Sequence, residues 1–308
     1  MKVLIYTLLT ILFVSCSSEK EVYLFSYFIN NGEDGLHFAH SRDGLKWENV
    51  KPGKSFLTPK IGKDKLMRDP CIVSGPDGIF HMVWTTGWWD KHIGYAYSKD
   101  LINWSEQKLI PVMNHEVEAK NCWAPEMIYN PDDKTWYIFW ATTIPGRHNE
   151  VATSESEKGL NHRMYYVTTK DFNSFSDTKI FFDPGFSVID ASVIRKDNRF
   201  WMFLKNENSN PPEKNIRISS GTDLSSFPVE VSAPVTGKYW AEGPSPILIR
   251  DTVYVYFDKY TQGRYGAIRS TDMKNWEDIS DMVIFPEHVR HGSAFKVKES
   301  ILNNLLAL

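Results

Sequence analysis

Cysteine is scarce in this chain, at three residues in 308, so a disulfide-stapled scaffold is excluded and a packed core must carry the fold. Cys71 and Cys122 are either buried thiols or one disulfide, and their spacing leaves both open. Long apolar runs are missing too. The stretch Val3–Val14 is too short to span a bilayer and has the length of a signal-peptide core. No basic block occurs, and 35 Lys and Arg stand against 38 Asp and Glu for a formal charge of -3. Nucleic acid is therefore not an expected partner. The nine His are scattered without metal-ligand spacing, so no required metal is predicted. What the chain has is aromatic surface, with 11 Trp and 14 Tyr. Aromatic planes stack on the C–H faces of sugars, although most such residues simply fill a core.

The order beneath this composition is a repeat. Asp, three residues and a large aromatic recur at Asp43…Trp47, Asp100…Trp104, Asp171…Phe175, Asp223…Phe227 and Asp272…Trp276. Ser41, Ser98, Thr169, Gly221 and Ser270 precede each Asp by two, and the copies stand 57, 71, 52 and 49 residues apart. Repeats of about 40–50 residues rich in short strands mark a propeller, with one four-stranded sheet per blade. Runs such as Cys71–Ser74, Phe80–Thr85 and Ile93–Ser98, separated by Pro76-Asp77-Gly78 and a loop, read as successive strands. The predicted fold is all-β, a five-bladed propeller. The Asp turns lead into each fourth strand and have a structural task, the Asp accepting local backbone N–H bonds.

A second repeat gives the starts of the innermost strands. These are Arg68-Asp69-Pro70, Trp123-Ala124-Pro125-Glu126, Ile189-Asp190-Ala191, Glu242-Gly243-Pro244 and His291-Gly292-Ser293. Their key residues are spaced by 54, 67, 52 and 49, tracking the first repeat. The last start has no later strands, and Val22–Asn49 supplies three strands lacking a first, so the two segments are predicted to close the ring as one blade. Antiparallel geometry puts the loops after each second strand over these starts: Trp88-Trp89-Asp90, Ile144–Arg163, Lys205–Asn215 and Asp258–Arg264. Asp69, Asp190 and Glu242 thereby converge on one face. Crowded carboxylates cannot all ionise cheaply, which separates an acid from a base, as glycoside cleavage requires.

These motifs, in this order, resemble glycoside hydrolase family 43 over about residues 22–297. The resemblance implies a five-bladed propeller that inverts the anomeric centre, with Asp69 as general base, Glu242 as general acid and Asp190 orienting the acid. It also implies Trp123 and Glu126 in the sugar pocket. His291, in Arg290-His291-Gly292-Ser293, stands where many relatives place a His near an axial ion or water. No cofactor is then required, and a Ca2+ ion near His291 is allowed. Ala191 departs from the family, in which Pro is common there. Trp88 lies on the right face to stack on substrate. The expected substrate is an oligo- or polysaccharide of plant origin, and the expected enzyme an exo-acting α-L-arabinofuranosidase or β-xylosidase, as a monomer. A propeller that only holds glycans is the alternative. The retaining fructoside-cleaving families share Arg-Asp-Pro, but no Asn-Asp-Pro-Asn-like motif precedes Asp69.

The N-terminus has its own reading. Ser15-Cys16-Ser17-Ser18 after the apolar run resembles a bacterial lipoprotein signal, although Phe13 replaces the usual Leu. This implies a signal over residues 1–15, lipidation of Cys16, a linker over 16–21 and one catalytic domain over 22–308. The expected location is the cell envelope, in the periplasm or at the outer-membrane surface, with membrane contact through the lipid alone.

Overall fold

A computed structural model describes residues 20–148 and 159–308. The predicted signal, Cys16 and the middle of the Ile144–Arg163 loop lie outside the described residues. β1 (Glu21–Tyr27), β2 (His37–Ser41) and β3 (Glu48–Asn49) come first. The first full blade holds β4 (Arg68–Ser74), β5 (Phe80–Thr85), β6 (Ile93–Ser98) and β7 (Lys108–Ile110). The second holds β8 (Trp123–Asn130), β9 (Thr135–Thr143), β10 (His162–Thr169) and β11 (Lys179–Phe182). β12 (Val188–Lys196), β13 (Arg199–Asn206) and β14 (Asn215–Gly221) make the third. The fourth has β15 (Glu242–Ile249), β16 (Thr252–Lys259), β17 (Arg264–Ser270) and β18 (Glu277–Asp278). β19 (Ser293–Lys298) and helix α1 (Glu299–Ala307) end the chain. The five sheets form a five-bladed β-propeller.

β19 pairs antiparallel with β1, from Glu21 opposite Lys298 to Ser26 opposite Ser293, and the order β19-β1-β2-β3 completes the fifth blade. Closure of this kind removes the open edges of the ring. The joint is tight at Gly292, where a Cβ would meet the Ser26 carbonyl oxygen at 1.7 Å. One expectation is corrected: the third blade has three strands, not four. The segment in the fourth place contains Pro228 and Pro234, which have no N–H to donate. It reaches β14 through only two backbone–backbone bonds, Ser232 N to Ile218 O (2.8 Å) and Val235 N to Ile216 O (2.9 Å).

The Asp turns are structural, as their sequence implies. Asp43, Asp100, Asp171 and Asp272 each accept two backbone N–H bonds at 2.7–2.9 Å from the residues two and three ahead. Their aromatics pack between blades. Trp47 is buried among Phe25, Tyr256 and Phe285, and Tyr256 donates its hydroxyl to Gly44 O at 2.6 Å, tying the fifth blade to the fourth. Each buried aromatic stabilises such a seam by about 1.5–3 kcal/mol.

Four of the five innermost strands share a local device. β4, β8 and β15 lose register with their partner strand just after their first residue, and β12 just after its second, which is a β-bulge. The residue that follows the last paired one takes a left-handed backbone, at Asp69 (φ 51°), Ala124 (φ 45°), Asp190 (φ 53°) and Gly243 (φ 59°). Such strain is tolerated where surrounding structure fixes it, and it re-aims side chains at the mouth of the ring. The bulges also refine the predicted equivalence. Asp69 and Asp190 occupy the bulge itself, whereas Glu242 stands one residue earlier, in the place of Arg68, Trp123 and Ile189.

Candidate active site

The bulged strand starts open into a cleft of about 330 Å3 over the propeller axis. Asp69, Asp190 and Glu242, from three blades, all line it, with Trp88, Trp123 and His291. Asp69 is fixed through Oδ2, which accepts a bond from Thr85 Oγ1 at 2.7 Å, and Thr85 in turn accepts Ala124 N at 2.9 Å. The second blade thus braces the carboxylate of the first. Asp190 Oδ2 accepts Gly243 N at 3.0 Å. Because Gly243 follows Glu242 directly, this bond sets the backbone that carries the Glu242 side chain.

His291 stands between the two aspartates, with Nδ1 at 3.5 Å from Asp69 and 3.9 Å from Asp190. Burial opposes a charge on its ring, but Asp190, Asp69, Glu242 and Glu126 outweigh burial and raise its pKa. Burial likewise pushes Asp190 up to about 6, although the His291 and Lys205 charges pull it back. Around His291, among the described residues, no three His, Cys, Asp or Glu side chains are placed to hold a metal ion.

Glu242 is gripped from both sides. Lys205 Nζ lies 3.0 Å from Oε2, and Arg290 Nη2 lies 3.4 Å from Oε1. Lys205 is buried and has a second carboxylate, Glu207, at 2.7 Å, while Lys214 takes the other Glu207 oxygen at 2.7 Å. Burial opposes the Lys205 charge, yet Glu242 and Glu207 together more than offset it, and its pKa rises well above the usual lysine value. Arg290 also bonds Asp258 through Nε at 2.9 Å. Burial, then the nearby Glu242, push Asp258 up to about 6 against that arginine.

The walls are aromatic. On the Asp69 side Trp88 is clamped: its Nε1 donates to Asn31 at 3.0 Å, and the Arg68 guanidinium lies 4.3 Å over its ring. Trp123 donates Nε1 to Trp88 O at 2.8 Å. On the Glu242 side Tyr260 lines the cleft, with Lys205 4.8 Å over its ring.

Glu126 is not part of this lining. It lies beneath the cleft, buried, and accepts Cys71 Sγ at 3.3 Å and Ser192 Oγ at 3.1 Å. The bulge at the start of β8 leaves Trp123 on the rim and turns Glu126 toward the strands around the axis. Cys71 and Cys122 are both free and buried. Lys205, Glu207, Tyr260 and Arg290 were not singled out from sequence. Glu207 and Tyr260 sit on loops already assigned to this face, Lys205 sits near the end of β13 where the loop was expected to begin, and Arg290 sits next to His291.

Comparison with known proteins agrees with the propeller fold. The family described as a probable glycosyl hydrolase domain, related to glycoside hydrolase family 43, matches residues 19–301. An α-L-arabinofuranosidase of Bifidobacterium longum subsp. longum is 25% identical over 116 residues, 36% of this chain. The match spans only 11% of that protein's length. An α-L-arabinofuranosidase structure from Lactobacillus brevis superposes with a TM-score of 0.53 at 16% identity, covering 69% of this chain and 72% of that one. A family 43 β-1,3-galactosidase gives 0.53 at 12% identity, covering 70% and 76%. These two structures share the fold.

Proposed function

Because the chain belongs to the family of probable glycosyl hydrolase domains related to glycoside hydrolase family 43, we propose that it hydrolyses a glycosidic bond by single displacement. The observation that carries this reading is the meeting of Asp69, Asp190 and Glu242, from three blades, in one cleft. Glu242 gives a proton to the oxygen that leaves. Asp69 takes a proton from the water that attacks the anomeric carbon from the opposite face, so the centre inverts. Asp190 positions Glu242 through its bond to Gly243 N. Lys205 and Arg290 hold the Glu242 carboxyl until substrate enters. Glu207, already 2.7 Å from Lys205, is the partner to which that ammonium can turn.

The substrate class follows from the relatives' names taken with the cleft. An arabinofuranoside is the first choice, with a xyloside or galactoside next, and the terminal sugar sits between Trp88 and Tyr260. The test is incubation of the purified protein with aryl α-L-arabinofuranosides, β-xylosides and β-galactosides, with Glu242→Ala alongside. Turnover lost by about 10²–10⁴-fold in the variant supports Glu242 as the acid. Retention of full activity in the variant refutes that role. Binding of arabinan or xylan without hydrolysis of either refutes the hydrolase reading.

A further inference from the structure

Past Tyr260 the cleft runs out onto an aromatic ledge that single displacement does not itself use. The Trp240 ring lies 6.0 Å from Tyr260, tilted by 43°, and the residue is 40% exposed. Both residues flank the acid. Trp240 precedes Glu242 by two, and Tyr260 follows Asp258, the strand partner of Glu242, by two. The backbone beneath Trp240 is pinned, since Ala241 N donates to Lys214 O at 2.9 Å. Polar groups stand beside the ledge, namely Lys205 and Glu207, both in the cleft lining with Tyr260. The opposite wall differs, because there the Trp88 ring is already capped by Arg68 and its N–H is bonded to Asn31.

We infer that Trp240 and Tyr260 form the binding site of the departing sugar, a pyranose or furanose ring whose C–H face lies on the Trp240 indole. This rests on Glu242 being the acid. The bond from the anomeric carbon to the bridging oxygen breaks, and that oxygen receives the Glu242 proton. The new carbon–oxygen bond forms to water on the Asp69 side, and Asp69 receives the water proton. The sugar carrying the protonated oxygen is therefore on the Glu242 side when it leaves. An exposed indole beside that point, on pinned backbone, offers it a plane to stack on. Substrates whose leaving group is another sugar are then favoured over those with a small one.

The experiment compares Trp240→Ala with wild type on an oligosaccharide and on the glycosyl fluoride of the same sugar, whose leaving fluoride has no ring to stack. The ratio of kcat/KM for oligosaccharide over fluoride falls at least about 10-fold, mainly through KM, and Trp240→Tyr restores most of it. An unchanged ratio overturns the inference. A second measurement needs no turnover. Calorimetric titration of Glu242→Gln and of Glu242→Gln/Trp240→Ala with arabinotriose, xylotriose and galactotriose should show at least about 10-fold weaker binding in the double variant. Equal affinity, or no binding by either protein, overturns the site. Absence of turnover by wild type refutes the hydrolase reading separately.

Discussion

Glu126→Gln tests how the buried acids beneath the cleft set stability. Burial pushes the Glu126 carboxyl from 4.5 up to about 7, despite the nearby His291 charge and the bonds from Cys71 and Ser192. A carboxyl that binds its proton more tightly folded than unfolded favours the folded state only while it is protonated. That contribution is full below 4.5 and is lost as pH rises toward 7. A shift of this size is worth about 3 kcal/mol. Gln keeps the shape and an oxygen acceptor for Cys71 and Ser192 but cannot ionise. The variant should match wild type near pH 4.5 and exceed it by about 3 kcal/mol at pH 8. At about 2–4 °C per kcal/mol, that is a gain of about 6–12 °C in Tm. Asp190 and Asp258, both pushed up to about 6 by burial, and His291, whose raised pKa has the same sign, should keep a smaller decline with pH in the variant. Calorimetric melts at pH 4.5, 6 and 8 read the difference. A gap between the proteins that is equal at all three pH values refutes the reasoning.

Two further substitutions probe the frame around the site. Gly292→Ala places a Cβ 1.7 Å from the Ser26 carbonyl oxygen, backbone that cannot rotate aside. It should cost more than about 4 kcal/mol, and a Tm within one degree of wild type would sink the account of ring closure. Lys205→Met leaves Glu207 and Glu242 without the buried ammonium between them. Removing one partner of a buried ion pair costs about 3–5 kcal/mol, and urea unfolding that shows a loss under about 1 kcal/mol would refute the role assigned to the pair.

The ring was readable because its devices are local. An Asp that accepts backbone N–H bonds from residues ahead of it, two in four of the copies and one at Asp223, leaves the same signature wherever it occurs, so five copies told the blade number. Closure was readable by elimination, since β19 has no later strands and β1–β3 have no first. The third blade's missing strand was harder, because Pro228 and Pro234 lie where turn residues are also expected. The acids were legible by type and spacing, but not to the single residue. The one-residue offset of Glu242 was marked only by the prolines, since Pro70, Pro125 and Pro244 align Glu242 with Arg68 and Trp123, whereas the inward turn of Glu126 left no such mark. Lys205 and Tyr260 were legible only as members of segments expected on this face. Selecting them requires knowing which side chains a twisted strand end turns toward the axis.

The closing pair of strands also sets when the molecule becomes competent. Ser26 and Ser293 bond to each other across 267 positions of chain, whereas each of the other four blades pairs strands close in sequence. Loop-closure entropy grows only with the logarithm of length, so the thermodynamic cost of this long-range contact is modest, but contacts so distant in sequence form slowly. Arg290 and His291 enter the cleft on the segment that leads into β19. Blades can therefore assemble one after another as an open arc that already carries Asp69, Asp190 and Glu242, yet lacks the groups that stand among them. Arrival of the last strand completes ring and cleft in the same step, so the site is whole only once the ring is closed.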